Sequence, residues 1–225
     1  MSPESSLAGD VLTGDVLTGG ALAAAAGLLV SIPSPVLEIA VGTLAAVVGY
    51  GIGSINPASI IARVRGTDLR TIGSGNPGAT NAGRAFGSQV GVLVAVLDIL
   101  KGFLPVLAFE LLGAPVAAMV AGFAAILGHV TSPWLRGRGG KGVATSLGAV
   151  LAVQPLWAVP VLVVFLAVVA VTRRVGLASV SGALMLVPAS ILIHDRPAEV
   201  LFANAIAALI VVRHRRNLVE AVPPH

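Results

Sequence analysis

The chain has 225 residues, 56% hydrophobic and 11% charged, with a mean hydropathy of +0.96, which leaves too little polar surface for a soluble globule and indicates an integral membrane protein. An isoelectric point near 10.7 could suggest a nucleic-acid partner, but aromatic residues are only 4% and the basic residues cluster in short segments between apolar runs, so we expect no nucleic acid. The absence of cysteine excludes a disulfide framework, a thiolate nucleophile and a cysteine metal site.

Residues 1–37 are interpreted as an N-terminal extension. Acidic but no basic residues occur among the first 20, which is the wrong pattern for a secretory signal peptide. The repeated GDVLT at 9–13 and 14–18 favours a flexible tail. The apolar run 21–32 is short and stops at prolines, so we expect an interfacial or extracytoplasmic helix there rather than an extra span.

Seven apolar segments follow and predict an all-α membrane domain over 38–217, with a C-terminal tail at 218–225. Their limits are 38–61, 86–109, 114–130, 143–154, 156–171, 177–193 and 198–212. The first, 38–61, is long enough to cross a bilayer as a helix, whereas the segments from 143 onward are short and punctuated by prolines, and 143–154 is the weakest candidate for a crossing.

The distribution of charge predicts the orientation of these spans. Seven crossings place 63–84, 131–142, 172–176 and the tail from Arg213 on one side, and twelve of the fourteen Lys and Arg residues fall there. By the positive-inside rule these segments are cytoplasmic and the N-terminus is outside. We therefore expect a multi-pass protein of the cytoplasmic membrane.

A polar, glycine-rich segment, GSGNPGATNAGR, occupies 73–84. It formally contains G-x-G-x-x-G, but an apolar helix rather than a strand precedes it, which argues against a dinucleotide site. Glycines can still bring backbone amides close to an anion, and Arg84 carries a planar fork suited to phosphate. The short donors of this candidate phosphate site are Ser74, Asn76, Thr80 and Asn81, with Gly73 and Gly75 supplying backbone amides. The alternative is a connecting loop whose glycines serve turn geometry.

A second glycine-rich segment, GRGGKG, occupies 137–142. Gly142 follows Lys141 where a P-loop has Ser or Thr, so ATP hydrolysis is disfavoured. Lys141 can nevertheless approach an anion closely, because Gly139, Gly140 and Gly142 flank it. The alternative is a basic anchor at the membrane surface.

Three further groups of polar residues are candidates for chemistry. His214 and Asn217 are three residues apart in RHRRN, so on a continuing helix both side chains face one site. A neutral imidazole could orient or deprotonate a hydroxyl there. The alternative is that these residues anchor the chain at the membrane interface. Asp98 and Lys101 are charged at membrane depth and spaced i, i+3, and a structural ion pair is favoured over a proton path because nothing else titratable lines that span or its neighbours. The remaining His and carboxylate residues lack ligand spacing, so we expect no metal and no cofactor.

Taken together, IGSGNPGATNAGRAFG, GHVTSPWLRGRGGKGVAT and RHRRN resemble the three motifs of the bacterial acyl-phosphate-dependent glycerol-3-phosphate acyltransferases, the PlsY family. The resemblance runs from Tyr50 to Asn217 in the family's order and spacing. GSINPASIIARVRGTDLR and LDILKGFLPV match as well. One departure is Gly176, which stands where the family commonly has a serine.

The resemblance implies a seven-helix inner-membrane enzyme that moves a fatty acyl group from acyl phosphate to the sn-1 hydroxyl of glycerol 3-phosphate. The products would be lysophosphatidic acid and phosphate, in the first step of phospholipid synthesis. We expect it to act as a monomer among membrane lipids. By matching position, the expected catalytic residues are Ser74, Arg84, Lys141, His214 and Asn217. The expected substrate- and phosphate-binding residues are Gly73, Gly75, Asn76, Thr80, Asn81, Gly139, Gly140 and Gly142.

Two other classes of function stay open at this point. Polar glycine-rich loops and the intramembrane Asp98 and Lys101 would suit a small transporter of phosphorylated metabolites, although the chain has no internal repeat of the kind many transporters carry. Gly176 and the altered tail after Asn217 would suit a non-catalytic paralogue that binds glycerol 3-phosphate without turnover.

Overall fold

The structure is a computed structural model and describes residues 34–215. Over that range it contains nine α-helices and no β-strand. The helices are α1 Ser34–Ser54, α2 Pro57–Val64, α3 Ala79–Phe86, α4 Ser88–Leu111, α5 Pro115–Thr131, α6 Val143–Val153, α7 Ala158–Thr172, α8 Val175–Leu192 and α9 Pro197–Arg213, and 3-10 turns occupy Leu69–Thr71, Pro133–Leu135 and Pro155–Trp157. The predictions for the extension, the run 21–32, Asn217 and the tail fall outside the described residues.

Contacts divide the chain into two units, Met1–Ala40 and Val41–His225. The described part of the first unit is the beginning of α1, whose residues are mostly exposed. The second unit contains the rest of α1, all later elements and the candidate site. The predicted boundary between 37 and 38 stays a prediction.

Five helical stretches of the described chain are long and apolar enough to cross a membrane. They are Ser34–Val64, Ser88–Leu111, Pro115–Leu135, Pro155–Thr172 and Val175–Leu192. Large apolar side chains such as Leu104, Val163 and Leu166 are exposed on these helices, as expected of a surface in contact with lipid rather than water. The fold is therefore that of an all-α integral membrane protein.

The first predicted span, 38–61, is not one continuous helix, because α1 ends at Ser54 and α2 begins at Pro57. A proline cannot donate its backbone nitrogen to the preceding turn, and Asn56 caps the new helix by accepting from the Ser59 amide at 2.8 Å. The carbonyl groups of Ser54 and Ile55, at the break, accept hydrogen bonds from buried side chains. Ser132 Oγ donates to the Ser54 oxygen at 2.6 Å, and Lys101 Nζ donates to the Ile55 oxygen at 2.8 Å.

Small residues set the distances between helices. Gly49 and Gly53 of α1 lie against the backbone of Ala121 and Ala125 of α5, where a β-carbon on either glycine would overlap main-chain atoms. At the crossing of α4 and α6, Gly148 packs in the same way against the Ile99 carbonyl group. Close approach of this kind maximises van der Waals contact between helices in lipid, where the hydrophobic effect does not drive association.

Two predicted loops are shorter than the sequence suggested. The interval 63–84 ends in helix α3 from Ala79, so Thr80, Asn81 and Arg84 project from a helix rather than a loop. The interval 172–176 already contains the start of α8 at Val175. Segment 143–154 forms an 11-residue helix, Val143–Val153, which is about 17 Å long at 1.5 Å per residue and so is shorter than the ~30 Å hydrocarbon core of a bilayer.

Candidate active site

The loop before α3 turns sharply at two glycines. Gly73 and Gly75 adopt φ values of 51° and 66°, in the left-handed region that glycine enters at little cost, and the Gly75 amide closes a turn on the Ile72 carbonyl at 2.9 Å. These turns place Ser74 and Asn76 on the wall of a cavity. Gly73 and Gly75 themselves do not line that cavity among the residues described, so they shape the loop.

Asn81 holds this loop against α3. Its side chain is buried, with Oδ1 3.3 Å from the Ser74 amide and Nδ2 donating to the Leu69 carbonyl at 2.9 Å. The predicted phosphate donor Asn81 lines the cavity, yet its amide is bound to the loop backbone. Arg84 lies one turn further along the same helix and also lines the cavity.

The loop before α6 is fastened to the end of α5. The Gly139 and Gly140 amides donate to the carbonyl groups of Val130 and His129 at 3.0 and 3.1 Å. A β-carbon on Gly139 would strike the His129 carbonyl, and one on Gly140 would overlap the imidazole of His129. These two predicted phosphate-binding glycines therefore serve close packing, while Lys141 and Gly142 line the cavity. Gly142 has a φ of 88° and is the N-cap of α6.

His214 directly follows Arg213, the last residue of α9, as its C-cap residue. The predicted continuation of a helix through Asn217 stays a prediction, because Asn217 lies outside the described residues. The imidazole is 2% exposed and lines the cavity. Its Nδ1 lies 2.8 Å from the Ile210 carbonyl oxygen, so a neutral ring carries its proton on Nδ1 and keeps a lone pair on Nε2. Burial lowers the pKa of His214 from 6.5, and the positive charges of Lys141 and Arg213 lower it further against the opposing effect of the Ile210 carbonyl.

One cavity of about 700 Å³ joins all these elements. The first residues of α3, α6 and α8 line this cavity, and the N-terminus of each helix carries a partial positive charge. Because the N-cap residues of α3 and α6 are glycines, Gly78 and Gly142, they provide no capping side chain for the first amides of those helices. Cationic side chains add to this field: Arg84, Lys141, Arg173 and Arg174 line the same cavity. This end of the cavity is suited to binding anions.

The remainder of the cavity wall is apolar. It is formed by side chains of α6, α7, α8 and α9, namely Leu147, Val150, Val161, Leu162, Phe165, Ala183, Leu186, Ile206 and Ile210. The cavity therefore offers a cationic end for phosphate and an apolar wall for a hydrocarbon chain. Such a combination fits a substrate that carries both groups.

Several polar residues that line the cavity were not predicted as site residues: His129, Ser146, Arg173, Arg174 and Ser179. Asp98, which the sequence suggested as half of a structural ion pair, lines the cavity as well. The statement that nothing titratable lies beside the Asp98 and Lys101 pair is wrong, because His129 Nδ1 lies 3.5 Å from Asp98 Oδ1. The Asp98–Lys101 ion pair itself is present, at 2.8 Å. His129 lies on the neighbouring helix α5, and only tertiary packing brings it to Asp98.

The sequence matches a known protein family. A family model described as Glycerol-3-phosphate acyltransferase matches residues 43–222. A relative of that name from Geobacter sulfurreducens is 41% identical over 172 residues, 76% of this chain and 89% of the relative, and Glycerol-3-phosphate acyltransferase 1 of Deinococcus radiodurans is 43% identical over 180 residues, 78% and 89%.

Two solved structures are similar across most of their length. They are crystal structures of PlsY, an integral membrane glycerol 3-phosphate acyltransferase, in its glycerol 3-phosphate form and its lysophosphatidic acid form. The TM-scores are 0.76 and 0.74, the identities 37% and 36%, and each match covers 80% of this chain and 90% of the solved chain. These matches confirm the resemblance seen in the sequence motifs.

Proposed function

This chain belongs to the glycerol-3-phosphate acyltransferase family and acylates glycerol 3-phosphate, and we propose that it takes the acyl group from acyl phosphate and transfers it to the sn-1 hydroxyl. The products are lysophosphatidic acid and inorganic phosphate. The observation that carries this proposal is the single cavity in which a cationic end and an apolar wall meet. Both substrates are anionic, and the donor also carries a hydrocarbon chain.

Arg84 and Lys141 bind the phosphate groups in this proposal. Both side chains line the cavity: Lys141 directly precedes the N-cap of α6, and Arg84 is in the last turn of α3, whose N-terminal residues line the same cavity. Charge-assisted hydrogen bonds and helix dipoles can therefore act on the same anion. Ser74, Asn76 and Thr80 line the wall next to them and supply neutral donors. The acyl chain lies along the apolar side chains of α7 and α8, which leaves its reactive carbonyl at the cationic end.

In the reaction the glycerol hydroxyl oxygen attacks the acyl carbonyl carbon, and the bond from that carbon to the phosphate oxygen breaks. Nε2 of neutral His214 orients the hydroxyl and accepts its proton, while the phosphate leaves with the bonding electron pair. The developing oxyanion is stabilised by the amides and cations around it, and one such donor is worth ~3 to 4 kcal/mol. Acyl phosphate is already activated, so positioning and electrostatics supply most of the remaining acceleration.

The membrane arrangement proposed here has seven crossings. The first is α1 with α2, and the others are α4, α5, α6, the 3-10 turn Pro155–Trp157 with α7, α8 and α9. The cavity then opens at the basic, cytoplasmic face, with the N-terminus outside, and the enzyme acts as a monomer in the cytoplasmic membrane. Support comes from the charge distribution, since the segments around the cavity hold most of the basic residues.

Purified protein in detergent or liposomes tests the proposal. It should form lysophosphatidic acid from labelled glycerol 3-phosphate and acyl phosphate, with one phosphate released per product. Acyl-CoA should not replace acyl phosphate. A folded preparation that forms product only from another acyl donor would refute the assignment of the donor, and one that forms no product from any donor would refute acyl transfer.

A further inference from the structure

We propose that Asp98, Lys101 and His129 are positioning residues for the acyl transfer and form a buried polar bridge between the loop before α3 and the loop before α6. This inference rests on the proposed function in one respect, namely that Lys141 binds the phosphate of glycerol 3-phosphate. The bridge fixes the position of the two loops relative to each other, so that Arg84 and Lys141 reach the same substrate. None of the three side chains needs to contact that substrate.

The first half of the bridge runs from Asp98 to the loop before α3. Lys101 Nζ lies 2.8 Å from Asp98 Oδ1 and donates to the Ile55 carbonyl oxygen, also at 2.8 Å. Ile55 is at the break between α1 and α2, and its neighbour Asn56 donates through Nδ2 to the Pro77 carbonyl at 2.9 Å. Pro77 directly precedes the N-cap of α3, so Lys101 anchors the backbone that presents this helix end to the cavity.

The second half runs from Asp98 to the loop before α6. Oδ1 of Asp98 lies 3.5 Å from His129 Nδ1, on α5. The other side of the imidazole lies against Gly140, where a β-carbon would overlap Nε2 and the adjacent ring carbons. The His129 carbonyl also accepts from the Gly140 amide at 3.1 Å. Because Lys141 is the next residue, the position of this ring fixes where the backbone of Lys141 lies.

The geometry favours positioning over proton transfer. His129 Nδ1 faces Asp98 and Nε2 faces Gly140, so both ring nitrogens are directed at the protein. Charged groups at membrane depth are costly, and apolar residues of similar volume would pack there at lower cost. A charged cluster that joins two substrate loops is therefore better explained by a role in the reaction than by stability.

The test compares two double variants. In each of them, both members of an ion pair are replaced by uncharged residues, and the acidic member of each pair is buried. D98N/K101M removes the bridge without leaving one charge buried alone. E199Q/R196M is the matched control, because Glu199 is buried, pairs with Arg196 at the same i, i+3 spacing and lies at the other end of α9 from His214. H129Q is a third variant, which keeps the Asp98–Lys101 pair and removes only the ring that packs on Gly140.

D98N/K101M and H129Q should raise the KM for glycerol 3-phosphate about tenfold or more, because a displaced Lys141 loses a charge-assisted contact. The KM for acyl phosphate should change little. Hydrogen–deuterium exchange should accelerate at Gly139 and Gly140, whose amides bond to the end of α5. E199Q/R196M should leave both KM values and this exchange unchanged, whatever it does to thermal stability.

Three results would overturn the inference. One is unchanged exchange at Gly139 and Gly140 in both bridge variants. Another is an equal loss for both substrates that follows the loss of thermal stability, as a purely structural role would give. A third is a fall in kcat with a shifted pH profile and unchanged KM, which would make His129 a proton carrier. Hydrogen exchange needs no substrate, so it tests the bridge even if the parent protein proves inactive and the proposed function fails.

Discussion

The surroundings of His214 determine the protonation state and the tautomer of its ring. Its Nδ1 is engaged by the Ile210 carbonyl at 2.8 Å, its ring is buried, and positive groups nearby lower its pKa. The proton is thus held away from Nε2, the nitrogen left to accept a proton from a hydroxyl. In the proposed reaction Lys141 contributes twice, because its charge attracts the phosphate of the substrate and also lowers the pKa of His214.

The pH dependence of activity and stability follows from this lowered pKa. Above pH 6.5 the ring is neutral in both folded and unfolded chains, and the enzyme is active. Below 6.5 the unfolded chain binds the proton first, so folding stability falls as the pH drops from 6.5 through the lower folded pKa, and kcat/KM falls with protonation of the folded enzyme. Activity and thermal unfolding measured from pH 8 to 5 should both show this decline.

Replacement of His214 by Asn separates the roles of the two ring nitrogens, because Nδ1 bonds to the Ile210 carbonyl and Nε2 accepts the proton in the proposed reaction. The Asn amide can still donate to the Ile210 carbonyl, but it has no group in the place of Nε2. We expect kcat to fall on the order of 100-fold or more, with little loss of thermal stability and no remaining acidic limb in the pH profile. Activity within a few-fold of the parent would contradict a role in proton transfer.

Lys141→Ala should raise the KM for glycerol 3-phosphate. Loss of a charge-assisted hydrogen bond to phosphate costs about 1.5 to 3 kcal/mol, which corresponds to roughly a 10- to 150-fold fall in kcat/KM. Arg138→Ala is the matched control in the same loop, because Arg138 is exposed and lies outside the cavity lining. Equal kinetic effects in the two variants would indicate that only the overall positive charge of the loop matters.

At the scale of helices, the site is built from helix ends. The N-termini of α3, α6 and α8 and the C-terminus of α9 all end at the cavity, so small displacements of helices alter the field at the substrate. Close packing through glycine limits such displacements. Gly148 on α6 lies against the Ile99 carbonyl group of α4, and Gly53 on α1 lies against Ala125 of α5.

Two glycines of α1 should respond oppositely to alanine. Gly53→Ala places a methyl group against the Ala125 backbone and should destabilise the protein by about 1 to 3 kcal/mol. Gly51→Ala meets nothing within 4 Å and should stabilise the helix by about 0.5 kcal/mol, because alanine loses less backbone entropy. Thermal unfolding in one detergent measures both, and equal destabilisation would disprove the close α1–α5 contact.

At the scale of the whole molecule, the charged side chains of the described residues include a second group outside the cavity lining. Glu199, Arg196 and Asp195 form a separate small group at the start of α9, where Glu199 accepts from the Asp195 amide at 3.1 Å and from Arg196 at 3.2 Å. The proposed orientation places this group outside the cell and the cavity at the cytoplasmic face. A water-soluble acceptor and a membrane-held donor can then meet at the cavity.

The cysteine-free sequence allows a direct test of orientation. Arg138→Cys and Asp195→Cys introduce single thiols at exposed positions in two different loops. With a membrane-impermeant maleimide, intact cells should label Asp195→Cys, whereas Arg138→Cys should label only after permeabilisation. Labelling of both in intact cells would exclude the proposed topology, and the reverse pattern would invert it.

The sequence by itself determined the class of the protein, most of its helices and its family. Long apolar segments separated by basic loops have few structural solutions in a membrane, because every backbone polar group must be bonded within the chain. The three motifs then identified the acyltransferase family. Motif residues such as Arg84, Lys141 and His214 could be chosen as candidates because they match the family's motifs position by position.

Only the tertiary structure shows where each candidate lies and what it contacts. Gly139 and Gly140 look like phosphate ligands in a one-dimensional pattern, yet they pack on His129, and the Asn81 amide is bound to its own loop. Asn56 and Pro57 are a local signal for the break between α1 and α2, but the groups that bond to it, Lys101 at the Ile55 carbonyl and the Pro77 carbonyl at Asn56, are distant in the chain. Sequence periodicity reports local conformation, whereas the contact of Asp98 with His129 depends on how α4 and α5 pack, and that packing exists only in three dimensions.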